Sequence, residues 1–448
     1  MNDKLKIAYI AAGAGGMYCG SCIRDNSLAR AIRELGHDIA LIPTYTPMRT
    51  DEPAESIDRV FYNGISVYLE QKFAWARNRS GWLDWLMDRP GIVNYLAKVN
   101  ASTNARDLGE LTVSMLKGED GFQRKELQKL VDWLKNDYKP QIVQITNSML
   151  AGMAKEIKNA LDVPVLCALQ GEDIFLDDLI EPYRTEAIAL LRERAKDMDG
   201  FIATSDYYRN FMSEYLAVPA EKIHSVRLGI GLDGHGKTER NINNNNPFVI
   251  GYLARICPEK GLHVLVDAVA ELAKRTGENS VRLKIAGYLG KRDHHYFEGV
   301  KTAIRNHGIE HLVEHVGEVD RTDKIAFLNS LDVLSVPTVY HEPKGLFLLE
   351  ALANGVPAVQ PNHGAFPEIL SATGGGVLFE PDSPCGLADA LHGLLENPDL
   401  RAQLGKNGKS VVHRDFSDQK MAMETLNVYQ QYLGMSVADA APVRTKTG

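Results

Sequence analysis

Long apolar runs are missing from this chain of 448 residues. The first one, Ile7 to Ala14, covers only about eight residues, well short of the ~18 that cross a bilayer, and it reads as a buried strand. No later stretch qualifies either. An excess of positive charge is also missing: the formal net charge is −8, which argues against a nucleic-acid binder held by phosphate neutralisation. Cysteine is scarce and odd in number, with five residues at positions 19, 22, 167, 257 and 385. Such scatter builds no disulfide framework. The expectation from these absences is a cytoplasmic protein, with no nucleic-acid partner.

What is present has the balance of a globular enzyme: 44% apolar and 24% charged residues. The length exceeds what one ordinary core uses, so two or three domains are expected. In the first half, short apolar runs alternate with helical patterns. Strands are expected at Leu5–Ala12, Asp38–Tyr45, Ile142–Asn147, Val163–Gln170 and Gly200–Ser205, with a further one ending near Leu228. The segment Cys22–Leu35 has helical spacing and stops at Gly36. Around 234–247 the pattern breaks into GHGKTERNINNNNP, a linker composition. Alternation then resumes at Phe248–Ala254, Val281–Gly287, Val313–Val319, Asp332–Pro337 and Val356–Pro361. Two doubly wound α/β domains of parallel strands follow, 1–235 and 247–417, facing a cleft. A helix at 418–434 follows the second domain and is expected to pack back on the first, and 435–448 reads as a disordered tail. The stretch 73–136 departs from the alternation and holds all four tryptophans (Trp75, Trp82, Trp85 and Trp133). It reads as a helical insertion in the first domain.

In open parallel sheets, ligands gather beyond the carboxyl ends of the strands, where helix amides point. Three segments lie there. In VPTVYHEPKGLFLLEALANGVP, Gly345 opens a helix that is apolar from Leu346 to Ala353 except for Glu350. A carboxylate on a buried helix needs a partner; a structural ion pair with an Arg or Lys and a ligand contact both satisfy that need. Glu342, upstream at the amide-rich helix end, favours the ligand. In RICPEKG, Arg255 and Lys260 flank a turn after the second domain's first strand, and two cations beside helix amides suit a diphosphate. After the chain's first strand, AAGAGGMYCG offers Gly15 and Gly16 for close approach to phosphate. As a dinucleotide fingerprint this last segment fails, because Tyr18 stands where the third glycine belongs and no acidic residue ends the second strand.

Taken in order, these segments resemble the retaining nucleotide-sugar glycosyltransferases of family 4, which have the GT-B fold. RICPEKG, LKIAGY, the seven-residue spacing between Glu342 and Glu350, and GAFPEIL fall where that family carries its motifs. The likeness runs through nearly all of the second domain and more loosely through the first. It implies a nucleotide diphosphate-sugar donor on the second domain and a carbohydrate or lipid-linked acceptor on the first. In catalytic roles it places Arg255 and Lys260 on the diphosphate, with Glu342 near the donor sugar. Glu350 goes to the ribose hydroxyls, and the amides around Gly345, Leu346 and Phe347 go to the sugar or phosphate. It implies retention of anomeric configuration, with no cofactor and no metal, the leaving-group charge falling on cations and helix dipole. Where members carry a histidine after a first-domain strand, this chain reads ALQGEDIF, so Gln170, Glu172 and Asp173, with Asn147, stand as candidate acceptor or sugar contacts. Lys344 replaces a usual aromatic and either adds a cation or faces solvent.

Other patterns resolve to ordinary roles. Gly231 to Thr238 matches the P-loop spelling, but an asparagine-rich run follows where a helix is required. Asp197-Met198-Asp199 has metal-chelating spelling but precedes a strand, at the wrong end of the sheet. Cys19 and Cys22 have redox spacing but read as reduced packing residues. The tryptophan segment suits core packing of the insertion, with contact to a lipid-linked acceptor or the inner membrane face as the alternative. Rival readings of the whole chain are a non-catalytic nucleotide-sugar binder and an epimerase or phosphorylase on the same scaffold.

Overall fold

The computed structural model describes residues 4–13, 20–44, 50–57, 61, 105–237, 247–277 and 279–435. Gly15, Gly16, Cys19, Trp75, Trp82 and Trp85 lie outside them, as does the tail from 436. The chain divides into two compact units, residues 1–227 with 421–448, and residues 228–420.

The first unit holds a six-stranded sheet in the order β2-β1-β3-β4-β5-β6. Its strands are β1 (Lys6–Ala11), β2 (Asp38–Pro43), β3 (Ile142–Ile145), β4 (Val165–Leu169), β5 (Gly200–Ala203) and β6 (Ile223–Ser225). All pairings are parallel, with Ile7 opposite both Ile39 and Ile142. The strands β3, β4 and β5 are buried along their whole length, which is why they read as continuous apolar runs without alternation. The helix between β1 and β2 runs Gly20–Glu34 and ends before Gly36.

Between β2 and β3, the described part of the expected insertion is helical: Ala105–Leu116, then Arg124–Trp133, which continues into Leu134–Tyr138. Trp133 stacks on Tyr138 at 5.3 Å and tilts against Phe61 at 5.2 Å, so it packs into the first unit's core. The helix Asp418–Tyr432 brings the chain back to this unit, where the Tyr429 hydroxyl bonds Gln144 and Tyr432 meets His224 at 3.0 Å.

The second unit has a sheet ordered β12-β11-β10-β7-β8-β9: β7 (Phe248–Leu253), β8 (Val281–Ala286), β9 (Val313–Gly317), β10 (Val333–Leu334), β11 (Ala358–Pro361) and β12 (Gly376–Phe379). It too is parallel throughout. The strand β12 is not anticipated by the sequence reading, since its glycine-rich start looks like a loop. Among the described residues no helix is long and apolar enough to cross a membrane.

The domain boundary differs from the expected 235/247. Residues 228–237 belong to the second unit. Ile230 N–H donates to Phe416 O, Arg321 donates to the carbonyls of Gly231 and Asp233, and Lys409 donates to Gly236 O. The Asn354 side chain accepts from Gly236 N–H at 3.0 Å. A segment with no regular element satisfies its backbone through remote side chains, and composition carries no trace of that.

Candidate functional site

In the second sheet the strand order reverses at β7. The chain moves outward to β8 and β9, then returns to lay β10 on β7's other side. The loops after β7 and β10 therefore emerge side by side, and such a reversal is where open α/β sheets bind ligands. Close approach of these loops depends on glycine. Gly261, at φ +68°, would carry a Cβ 1.7 Å from Pro337 O, so only a residue without one fits. Gly364, at φ +59°, packs likewise on the Glu342 backbone, whose carbonyl accepts from Ala365 N–H at 2.8 Å. Val339 N–H reaches Glu259 O at 3.0 Å, and Thr338 O lies 2.9 Å from His363 Nε2. The loops after β7, β10 and β11 are thus bound together.

At their meeting point stands a three-membered cluster. The Lys260 ammonium donates to Glu342 Oε2 at 2.6 Å and lies 2.5 Å from the Tyr340 hydroxyl. That hydroxyl in turn donates to Glu342 Oε2 at 2.5 Å. Amides of Lys344 and Gly345 approach Glu342 Oε1 at 3.3 Å. Glu342 is buried, at 3% exposure. Burial alone would raise its pKa, but the charge and hydrogen bond of Lys260, with the Tyr340 bond, outweigh it and hold the carboxyl at about 2. Burial and this carboxylate push the Tyr340 hydroxyl well above the usual phenol range, so it stays a donor. An ammonium has three protons, and two of them face Tyr340 and Glu342. Lys260 also sits over the rings of Tyr340 and Phe347, at 4.9 and 5.3 Å from their centroids.

Arg255 directs Nε at Cys257 Sγ, 3.2 Å away, and lies 3.6 Å from Glu259. Its charge is felt at Tyr340. The residues Arg255, Lys260, Glu342, Gly345 and Phe347 therefore share one edge of the second sheet, with Leu346 opening the helix Leu346–Ala353. Glu350, one turn along that helix, is 7% exposed and pairs with Lys324 from the helix Arg321–Asn329. The structural ion pair left open by the sequence is present. Its lysine went unforeseen because Lys324 interrupts an apolar face containing Phe327 and Leu328. Tyr340 was missed as well. An aromatic two residues before the loop glutamate was the available signal.

In the first sheet the order reverses at β1 and β3, and a second polar cluster sits near that reversal. The Asp25 carboxylate accepts from Tyr9 at 2.6 Å, Arg24 at 3.1 Å and Gln170 at 2.9 Å, and from Thr146. All five residues are buried. Glu172 accepts from Ser148 N–H at 3.0 Å, Ser148 Oγ at 2.7 Å and Gln170 N–H at 2.7 Å. Gln170 and Glu172 thus tie the ends of β3 and β4 together. Asn147 begins the turn that follows β3, with its Oδ1 buried and, among the described residues, without a hydrogen-bond partner. Asp173, only partly buried, accepts from Tyr208 at 2.5 Å. Burial, with Glu172 adding to it against the Tyr208 bond, raises Asp173 to about 6.

The discounted motifs have structural partners. Asp199 accepts from Lys158 at 2.7 Å and from Val165 N–H at 2.8 Å, while Asp197 lies 3.5 Å from Arg194. Cys22 is buried.

Residues 237–411 match the family model described as Glycosyl transferases group 1. An uncharacterized glycosyltransferase of Methanocaldococcus jannaschii, MJ1607, is 30% identical over 182 residues, 41% of this chain and 44% of that protein. A glycogen synthase of Mycobacterium tuberculosis is 25% identical over 295 residues, 65% of this chain and 69% of that protein. Among solved structures, sucrose-phosphate synthase from Thermosynechococcus elongatus superposes with TM-score 0.70 at 16% identity, over 96% of this chain and 99% of that one. Anabaena HepE in complex with UDP follows at 0.65 and 15%, over 95% and 100%. The chain has the two-domain α/β fold of these structures, and the group 1 match falls within its second unit.

Proposed function

We propose that the protein transfers a glycosyl group from a nucleoside diphosphate sugar to a hydroxyl of a carbohydrate or lipid-linked acceptor. The bond between the anomeric carbon and the β-phosphate oxygen breaks, a bond to the acceptor oxygen forms, and the acceptor proton is released. The observation that carries this reading is the Lys260–Tyr340–Glu342 cluster at the second sheet's reversal, with Arg255 in its electrostatic reach. A lysine with a third proton to give, beside a guanidinium, meets the charge that develops on a departing diphosphate. Glu342, ionised at any ordinary pH, faces the positive charge that develops on the sugar. Glu350, paired with Lys324, faces the ribose hydroxyls of the donor in this reading. The group 1 match over this unit and the UDP bound to the HepE structure support a nucleotide-sugar donor. Retention of configuration and independence from metal complete the reading.

The test is a panel of UDP, ADP and GDP with their glucose conjugates, followed by thermal unfolding. Ligand at about 100 times Kd should add roughly 2.7 kcal/mol of stability. Proton NMR of the product of whichever donor binds then reports the anomeric configuration. If none of the diphosphates shifts the unfolding temperature, the donor assignment is wrong. Inverted product would remove the retaining part alone.

A further inference from the structure

Immediately before Lys260, on the turn Pro258–Lys260, stands Glu259. Its carboxylate lies between two guanidinium groups. Oε1 is 3.6 Å from Arg255 in the loop after β7, and 3.8 Å from Arg292 on the turn Lys291–Asp293 that follows β8. Because β7 and β8 are neighbours, these loops lie together, and Ile256 N–H donates to Tyr288 O at 2.9 Å. Both separations exceed the roughly 2.7–2.9 Å of a closed charge-assisted hydrogen bond. The carboxylate attracts both cations without closing on either. Its second oxygen, Oε2, is shielded from solvent and has no hydrogen-bond partner among the described residues. Burial raises the Glu259 pKa, but its own backbone amide, the Cys257 thiol and the two arginines more than offset this and lower it. Arg255 commits Nε to Cys257 and forms no hydrogen bond through its Nη groups among the described residues. Arg292 is exposed and lies 3.6 Å from Asp293.

Forked donors left open beside a carboxylate held at a distance are the features of an anion site with an internal anion standing in it. We propose that Glu259 is a built-in counter-ion that competes with the diphosphate for Arg255 and Arg292, and that Arg292 is a third cation of the donor site. The inference rests on the donor reading above and adds to it. A third cation strengthens capture of a highly charged ligand. The adjacent carboxylate weakens the hold on the diphosphate left after transfer, and so speeds its release. Three cations with no counter-ion would bind product tightly and slow turnover.

The test is calorimetric titration of the wild type, Glu259→Gln, Arg292→Gln and the double variant. Each is titrated with UDP, ADP and GDP and with the parent nucleosides, at about 50 mM and about 300 mM salt. For the diphosphate that the wild type binds, Glu259→Gln should tighten affinity about tenfold at low salt, as expected from losing one nearby like charge. Nucleoside affinity should not move. Arg292→Gln should weaken the diphosphate several-fold and flatten its salt dependence, and the double variant should return near the wild type. If folded Glu259→Gln binds the diphosphate equally or more weakly, Glu259 is only a brace of the loop and the proposal fails. If Glu259→Gln does not fold, Arg292→Gln decides, since an exposed side chain carries little of the fold. Unchanged affinity and salt dependence in that variant overturn the proposal. A wild type that binds no diphosphate removes the donor reading, and this inference with it, whereas a wild type that binds while the variants behave as braces removes the inference alone.

Discussion

The two sheets carry polar clusters near the same topological position, and the clusters are built in opposite ways. In the first unit the side chains satisfy one another. Asp25 receives four donors from Tyr9, Arg24, Thr146 and Gln170, and Glu172 receives three from Ser148 and Gln170. Carboxylates outnumber cations there, with Asp25, Glu172 and Asp173 against Arg24. In the second unit Arg255, Lys260 and Arg292 stand with Glu342, Glu259 and Asp293, and among the described residues the Nη groups of Arg255 form no hydrogen bond. One topology thus carries a cluster whose hydrogen bonds close internally in the first unit, and one whose guanidinium groups stay open among the described residues in the second. On the reading proposed above, the cluster with open guanidinium groups is the one that takes the diphosphate.

The largest expected effect tests the brace. Asp25→Ala would leave Arg24, at 1% exposure, without its counter-ion. Removing one partner of a buried pair costs about 3–5 kcal/mol, and urea unfolding should show this as a lower midpoint. Were Asp25→Ala as stable as the wild type, the first cluster would not be a brace. Next is Glu342→Gln, expected to lower kcat by about 10²-fold or more with donor affinity nearly unchanged. Steady-state kinetics decide it, and a loss confined to KM would assign Glu342 to ground-state binding instead. Lys260→Ala should weaken nucleoside diphosphate binding by roughly 10- to 150-fold, the range of one charge-assisted contact, and leave nucleoside binding alone. Equal losses for both ligands would mean that Lys260 only supports Glu342.

A smaller effect distinguishes Asp173 from Glu342 by pH. Asp173 has its folded pKa raised to about 6, above the ~3.9 of an unfolded chain. The unfolded state therefore ionises first as pH rises, and stability from this group falls between about pH 4 and 6. Asp173→Asn, which can still accept from Tyr208, should then be about 1–2 kcal/mol more stable than wild type at pH 7, after allowance for partial exposure. The gain should vanish near pH 3. Glu342 runs the other way: its folded pKa of about 2 lies below the unfolded ~4.3, so its contribution is present at neutral pH and is lost as pH falls from about 4 towards 2. A gain for Asp173→Asn that persists unchanged at pH 3 would show that the effect is not ionisation. Smallest of all, turnover should be unaffected by EDTA. Restoration by Mg²⁺ or Mn²⁺ after a chelator-induced loss would place a metal in the site.

Much of this was legible locally. Runs such as Ile7–Ala11 and Val165–Leu169 announce strands covered on both faces, because a strand buried on both sides cannot alternate. Glu350 stands out because a carboxylate in an apolar helical segment demands a reason, and Glu342 because it lies in the loop at that helix's amide-rich end. Such signals lie within one element, where side-chain period and turn chemistry are set by neighbours in the chain. What faces Glu350 is Lys324, 26 positions away. What joins Lys260 to Glu342 spans 82 positions and depends on β10 returning to lie against β7. The side chains that hold residues 228–237 to the second unit come from two separate helices and from the residue that follows a third. Glu172, a candidate ligand contact by position, accepts from Ser148 on the neighbouring strand's loop, a partner 24 positions away. The sequence by itself determined most of the elements and put Arg255, Lys260 and Glu342 at the carboxyl edge of the second sheet, since both follow from local periodicity. Only the tertiary structure decided the partner each charge meets there, because strand order brings distant loops together and no local pattern records that order.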